Sequence, residues 1–231
     1  MKILKMNLGK HLINHNIYIY TYSTFIAQIV NGLGYIHQKN IIYRNLCPET
    51  LGFDNLGRIK FFDFGLSIET EQPTSTICGV PDYQAPEMIM GYKYDKSVDY
   101  WALGVLMYEL YVQVLPFYDE NPLNVYKKIL KDKVKFPKGI DPKAKSLMKH
   151  LLEKDPTKRY GCLKGGIDDI KRHRYLKDAD WAGIGSAKLK TAYKEFLNKP
   201  NETMYIRKFN LDYSAKAFPN NVNDDPFSQM F

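Results

Sequence analysis

The stretch VDYWALGVLMYELYVQVLPF, Val98 to Phe117, constrains the fold more than any other part of the chain. It is about long enough to cross a bilayer. Asp99 and Glu109 lie inside it, and a carboxylate at mid-membrane depth is costly. The run therefore reads as a buried core helix, starting at Ser97, that other elements must surround. With 231 residues, 45% of them hydrophobic and 25% charged, the chain can bury such a helix within one large domain, or one domain and a tail.

Upstream, Phe25, Ile26, Ile29, Val30, Leu33 and Ile36 recur at three- and four-residue steps, which predicts an amphipathic helix from Thr21 to Gln38. Gly32 and Gly34 within it do not form a phosphate loop, because a G-x-G-x-x-G frame needs glycine where His37 stands. Short extended runs follow at Ile41–Tyr43 and Arg58–Phe62, with LGFDNLG between them as turn-rich material. Further helices are expected after Pro86, from Asn121 to Leu130 and from Leu147 to Leu152. From about Asn198, Pro200, Pro219, Pro226 and the run NNVNDD break any period, so an extended tail should lie on a mostly helical body.

The net charge of +8 and the lysines 127, 128, 131, 133, 135 and 138 raise a nucleic-acid reading. They follow one helix and its loop without an aromatic stacking platform, and read better as a solvated basic face. Cys47, Cys78 and Cys162 are scattered and odd in number, without C-x-x-C spacing or a signal peptide. A reducing compartment follows: the cytoplasm, with the nucleus as the second expectation.

Chemistry enters at residues 41–50, IIYRNLCPET. It is followed in order by Asp63-Phe64-Gly65 and Ala85-Pro86-Glu87. The ordered set resembles the protein kinase signature H-R-D-L-x-x-x-N, D-F-G and A-P-E. The stretches ICGVPDYQAPEMI, SVDYWALGVLMYEL, LPFYDENPLNVYKKIL, DPTKRYG and GIDDIKRHRYL extend the resemblance to the AGC group, and within it to the catalytic subunits of cyclic-AMP-dependent kinases. YIRKF, NVNDDPF and FSQMF resemble that group's C-terminal extension. The resemblance implies a mainly α large lobe with short β-hairpins, a kinase domain over residues 1–176 and an AGC tail over 177–231. It also implies that the glycine-rich loop, the anchoring lysine and the rest of the small lobe precede MKILKMN, so a large-lobe remnant is expected.

Carried over residue by residue, the resemblance places the proton acceptor at Asn45 and its hydrogen-bonding partners at Cys47 and Val80. An Asn amide is no base at neutral pH, an ordinary thiol is mostly neutral, and valine has no donor. Thr50 stands where an asparagine holds magnesium, and Asp63 is either a magnesium ligand or a structural turn residue. Arg44, Glu87, Asp99, Trp101 and Arg159 match architectural positions: Glu87 with Arg159 as a buried ion pair, Asp99 as a partner of the catalytic-loop backbone. Thr76 occupies the phosphorylated position. Glu49, Glu109, Ile77 and Pro81 occupy the peptide-gripping surface, with Gln84 where an apolar residue lines its pocket. Tyr126 and Ile129 occupy the surface that meets a regulatory subunit, or equally are core positions.

The reading that follows is a pseudokinase acting as a binding or decoy module, with ATP and Mg2+ bound weakly or not at all. A regulatory subunit of cyclic-AMP-dependent kinase, or another protein, is the expected partner; a membrane and nucleic acid are not. The alternative is an active ATP-dependent serine/threonine kinase whose small lobe is encoded upstream of Met1.

Overall fold

A computed structural model describes residues 2–3, 15–54, 56–184 and 186, with side chains from Tyr22 onward. The stretches YIRKF, NVNDDPF and FSQMF lie outside the described residues. The described elements are mainly helical with short antiparallel strands, as the resemblance implies.

Strand β1 (Lys2–Ile3) is followed by α1 (His15–Gln38) and β2 (Ile41–Ile42). Helix α1 extends further toward the N-terminus than the apolar stripe predicts. Its stripe is buried, with Phe25, Ile26, Ile29, Val30 and Leu33 each no more than 3% exposed. Gly32 has a packing purpose: a Cβ there would lie 2.4 Å from the Phe61 ring, so the missing side chain lets α1 close onto the strand that carries Phe61.

Strands β3 (Leu51–Phe53) and β4 (Ile59–Phe61) form a hairpin in register Leu51↔Phe61 and Phe53↔Ile59, and β1 pairs antiparallel with the outer side of β3. The turn-rich expectation for LGFDNLG is thus corrected over its first half. All three β3 residues are buried, and ladder bonds on both sides outweigh the weak strand preference of Gly52. Only the second half is a turn, in which Asp54 accepts hydrogen bonds from the backbone of Leu56 and Arg58 and pairs with the Arg58 side chain at 2.6 Å. Strand β5 (Ile68–Glu69) pairs antiparallel with β2.

After α2 (Pro86–Ile89), the apolar run forms α3 (Ser97–Val112), in which every residue from Ser97 to Tyr108 is buried. It ends at Gln113, whose left-handed backbone (φ 63°) turns the chain back so that Phe117 stacks on Trp101, centroids 5.9 Å apart. Helix α4 (Pro122–Lys131) is capped by Asn121, whose side chain accepts from the Leu123 amide. Helix α5 (Pro142–Leu151) starts a full turn earlier than its apolar residues suggest. Asp141 caps it by accepting from Lys143 and Ala144, and Pro142 occupies the first helical position, where a missing N–H costs nothing. Short helices α6 (Ile167–Lys171) and α7 (Trp181–Ile184) complete the described chain.

Where α5 meets the segment after α6, His173 sits beside His150, ring centroids 5.9 Å apart. Its Nδ1 accepts from the Tyr175 amide at 3.2 Å, so in the neutral ring Nε2 carries the proton and donates to the Ser146 hydroxyl. Burial, then the charges of His150 and Arg174, lower its pKa to about 4. A proton added at Nδ1 would face the Tyr175 N–H. The folded pKa lies below the unfolded value of 6.5, so this contribution is complete above pH 6.5 and is lost as pH falls toward about 4. The ring is partly exposed, so the slope is well under the ~1.4 kcal/mol per pH unit of a fully buried group. Urea midpoints should fall between pH 7 and 5 for the wild type and fall less for His173→Gln. Parallel curves for the two would refute the assignment.

Candidate functional site

The loop between β2 and β3 is held from below by one buried carboxylate. Asp99, 1% exposed near the start of α3, accepts the Tyr43 amide at 2.9 Å, the Arg44 amide at 2.8 Å and a 2.7 Å contact from His37 Nε2. The other His37 nitrogen lies 3.1 Å from the Tyr100 hydroxyl. Arg44 itself has a left-handed backbone (φ 62°), a conformation that costs a non-glycine residue about 1–3 kcal/mol and persists only where neighbours over-determine it. One such neighbour is Gly79, in the loop before Ala85-Pro86-Glu87. It has φ +87°, and a Cβ there would meet the Arg44 carbonyl oxygen at 2.6 Å, so only glycine lets the two segments touch.

Tyr43 is fully buried and donates to the Phe62 carbonyl at 2.6 Å, tying the loop to the residue before Asp63. Burial raises its pKa further above the ordinary tyrosine range. The Arg44 side chain donates to the Leu66 carbonyl at 2.6 Å and to the Tyr94 hydroxyl at 3.4 Å, while Tyr94 donates to the Thr76 carbonyl. Arg44 and exposed Thr76 thus share Tyr94 as an intermediary.

The three positions expected to carry chemistry share one wall. Asn45, Cys47 and Val80, with Cys78, Tyr83 and Gln84, line a void of about 10 Å3, room for roughly one water. The Cys47 thiol is pushed up to about 12 by burial and then by the Glu49 charge, so it is neutral at physiological pH. Gln84 donates through Nε2 to the Cys78 carbonyl at 3.1 Å, and its buried Oε1 has no partner among the described residues. Val80 supplies only its apolar side chain to this wall.

Thr50 and Asp63 were candidates for nucleotide and metal. Thr50 is 4% exposed, and its hydroxyl donates to the Asn45 carbonyl at 2.6 Å and accepts from the Cys47 amide at 3.3 Å. The hydroxyl closes the loop on itself, engaged by the backbone of Asn45 and Cys47. Asp63 is exposed, has φ 60°, and accepts from the Asn45 side-chain amide at 3.0 Å and from the Gly65 amide at 3.4 Å. A magnesium ion needs several oxygen ligands at about 2.0–2.1 Å. One carboxylate already hydrogen-bonded, with no group of three acidic, His or Cys side chains among the described residues, is a poor donor set.

Arg159 and Glu87 form a buried ion pair at 2.6 Å. Arg159, fully buried, donates to both Glu87 oxygens at 2.6 and 2.9 Å and to the carbonyls of Glu153, Lys154 and Ser97. Its guanidinium lies 5.3 Å from the centroid of the buried Trp101 ring.

Of the surface residues, Glu49, Ile77 and Pro81 are exposed, while Glu109 is half-buried and accepts the Tyr83 hydroxyl. Tyr83 is held well above the ordinary range by burial, then by Glu109, with Glu49 adding to it. Tyr126 is half-buried, but Ile129 is 0% exposed, so the core reading applies to Ile129 and it offers no contact surface. Residue reasoning missed His37 and Tyr94. The signal for His37 was a polar side chain one turn after Leu33 on the apolar stripe; Tyr94 carried none.

Residues 3–176 match the family model described as protein kinase domain. A Drosophila melanogaster cAMP-dependent protein kinase catalytic subunit 3 is 46% identical over 170 residues, covering 74% of this chain and 29% of the fly protein. The cAMP-dependent protein kinase catalytic subunit of Dictyostelium discoideum is 37% identical over 207 residues, covering 90% of this chain and 32% of its own length. The mouse cAMP-dependent protein kinase catalytic subunit PRKX is 42% identical over 166 residues, covering 72% of this chain and 47% of its own length. The chain thus spans between 29% and 47% of these relatives.

Proposed function

Because the chain belongs to the protein kinase domain family, related to cAMP-dependent kinase catalytic subunits, we propose that it is a pseudokinase that works by binding protein. One observation carries this reading. Around one small void the β2–β3 loop and the segment before α2 bring together an amide, a neutral thiol and a methyl-bearing side chain at Asn45, Cys47 and Val80, none able to accept or relay a proton at neutral pH. General-base help is worth roughly 10²–10⁴-fold, and these positions act as one unit, so their losses are not multiplied. ATP and Mg2+ are bound weakly or not at all, in keeping with the poor donor set around Asp63.

The partner-facing surface is acidic and partly apolar, with Glu49 and Glu109 near Tyr83 and Ile77 and Pro81 exposed. A basic protein segment fits that chemistry, and a regulatory subunit of cAMP-dependent kinase is the first candidate. An active kinase is the second reading, favoured by the intact Asp99 and Glu87–Arg159 framework.

Radiolabelled phosphate transfer from ATP–Mg2+ to basic serine peptides should be undetectable, whereas co-purification with a regulatory subunit should be measurable and reduced by Tyr126→Ala. Turnover above about 10⁻² per second, within a hundredfold of an ordinary kinase, establishes the second reading. Absence of both transfer and capture removes the regulatory subunit as partner.

A further inference from the structure

We propose that the side-chain amide of Asn45 is a built-in substitute for a divalent cation at Asp63, holding the Asp63–Gly65 turn in one position whether or not a metal is present. A carboxylate only accepts hydrogen bonds, so across the 3.0 Å contact Asn45 must present its NH2 group. Asn45 is itself 8% exposed, and its carbonyl is gripped by the Thr50 hydroxyl at 2.6 Å, so the amide is held in place from behind. The left-handed backbone of Asp63 (φ 60°) is thereby tied by one charge-assisted bond and by its own contact to Gly65.

A carboxylate at position 45 in this geometry would set two negative groups about 3 Å apart, an unfavourable arrangement that a shared proton or a cation between them relieves. The amide removes that repulsion. Thr50, turned into the loop, and the absence of a three-ligand group among the described residues leave nothing to recruit a cation in its place. The Asp63–Gly65 turn is therefore insensitive to magnesium. This deepens the pseudokinase reading and rests on it for the identity of the displaced ion. The test reads stability and not phosphate transfer, so either can fail alone.

The experiment is thermal unfolding of the full chain in EDTA and in millimolar Mg2+ or Mn2+. The wild type should melt at the same temperature in all three. Asn45→Asp should melt lower in EDTA, by on the order of 5 °C, and recover with either metal, while Asn45→Ala should melt lower and ignore metal. A wild type that gains as much from metal as Asn45→Asp, or an Asn45→Asp chain indifferent to it, overturns the proposal. If Asn45→Asp does not fold, the Asn45→Ala and Asp63→Ala pair decides. A double variant no worse than the poorer single supports the bond, and additive losses overturn it.

Discussion

Arg159→Met should lower folding stability by about 3–5 kcal/mol, the usual cost of removing one side of a buried ion pair. In a chain of this size that is a fall in melting temperature of roughly 10 °C or more. The guanidinium has five N–H donors, and the structure supplies five acceptor contacts: two Glu87 oxygens and three backbone carbonyls. Methionine removes all five donors and strands a carboxylate that is 3% exposed, with the Ser97 hydroxyl still donating to its Oε1 at 3.0 Å. Replacing Glu87 by an apolar residue in the same chain should recover part of the loss, since the stranded charge goes with it, but not the part owed to the three carbonyls. Chemical denaturation reads both. A loss under about 1 kcal/mol for Arg159→Met would mean that the pair is not the fastening described here.

Asp99→Ala should be comparably severe, about 3 kcal/mol or more, because each buried N–H left without an acceptor costs about 1–3 kcal/mol and two lose theirs at once. His37 loses a partner as well, and Arg44 loses one of the contacts that hold its left-handed backbone. The opening is expected to be local first. Amide exchange at Tyr43 and Arg44 should rise about a hundredfold or more, while the α3 amides near Leu103 and Leu106 follow only the global loss. Exchange that accelerates uniformly along α3 would show that Asp99 supports the helix and not the loop. Asp99→Asn should fall between, since an amide offers one acceptor oxygen and turns a donor toward a backbone donor.

Helix α3 was legible from the sequence because its apolar character is nearly continuous, and the kinase motifs because their order and spacing survive intact. β3 was not, because Gly52 and Asp54 look like turn residues and one of its two partners, Lys2–Ile3, lies far away along the chain. The start of α5 was hidden for another reason: Asp141 and Pro142 act through cap geometry, while the visible apolar residues begin a turn later. In the site, the letters gave the side-chain types at the motif positions, but not where those groups point. Nothing in the letters says that Thr50 folds inward onto Asn45, or that Asn45 reaches Asp63. Ile129 shows the same limit, since i and i+3 positions share a helix side without revealing which is covered.

The fastening of the loop has a consequence for how such a chain can change over generations. The atoms that fix its path are the Asp99 carboxylate, the Tyr43 hydroxyl and the bare backbone of Gly79, none of which belongs to the side chains at 47 or 80. Asn45 reaches out only to an exposed turn. The contacts made by Asp99, Tyr43 and Gly79 are therefore inherited apart from the side chains at 47 and 80. A lineage under pressure only to keep a folded, binding-competent surface has no reason to purge altered letters at the reactive positions, and the scaffold can outlast its chemistry.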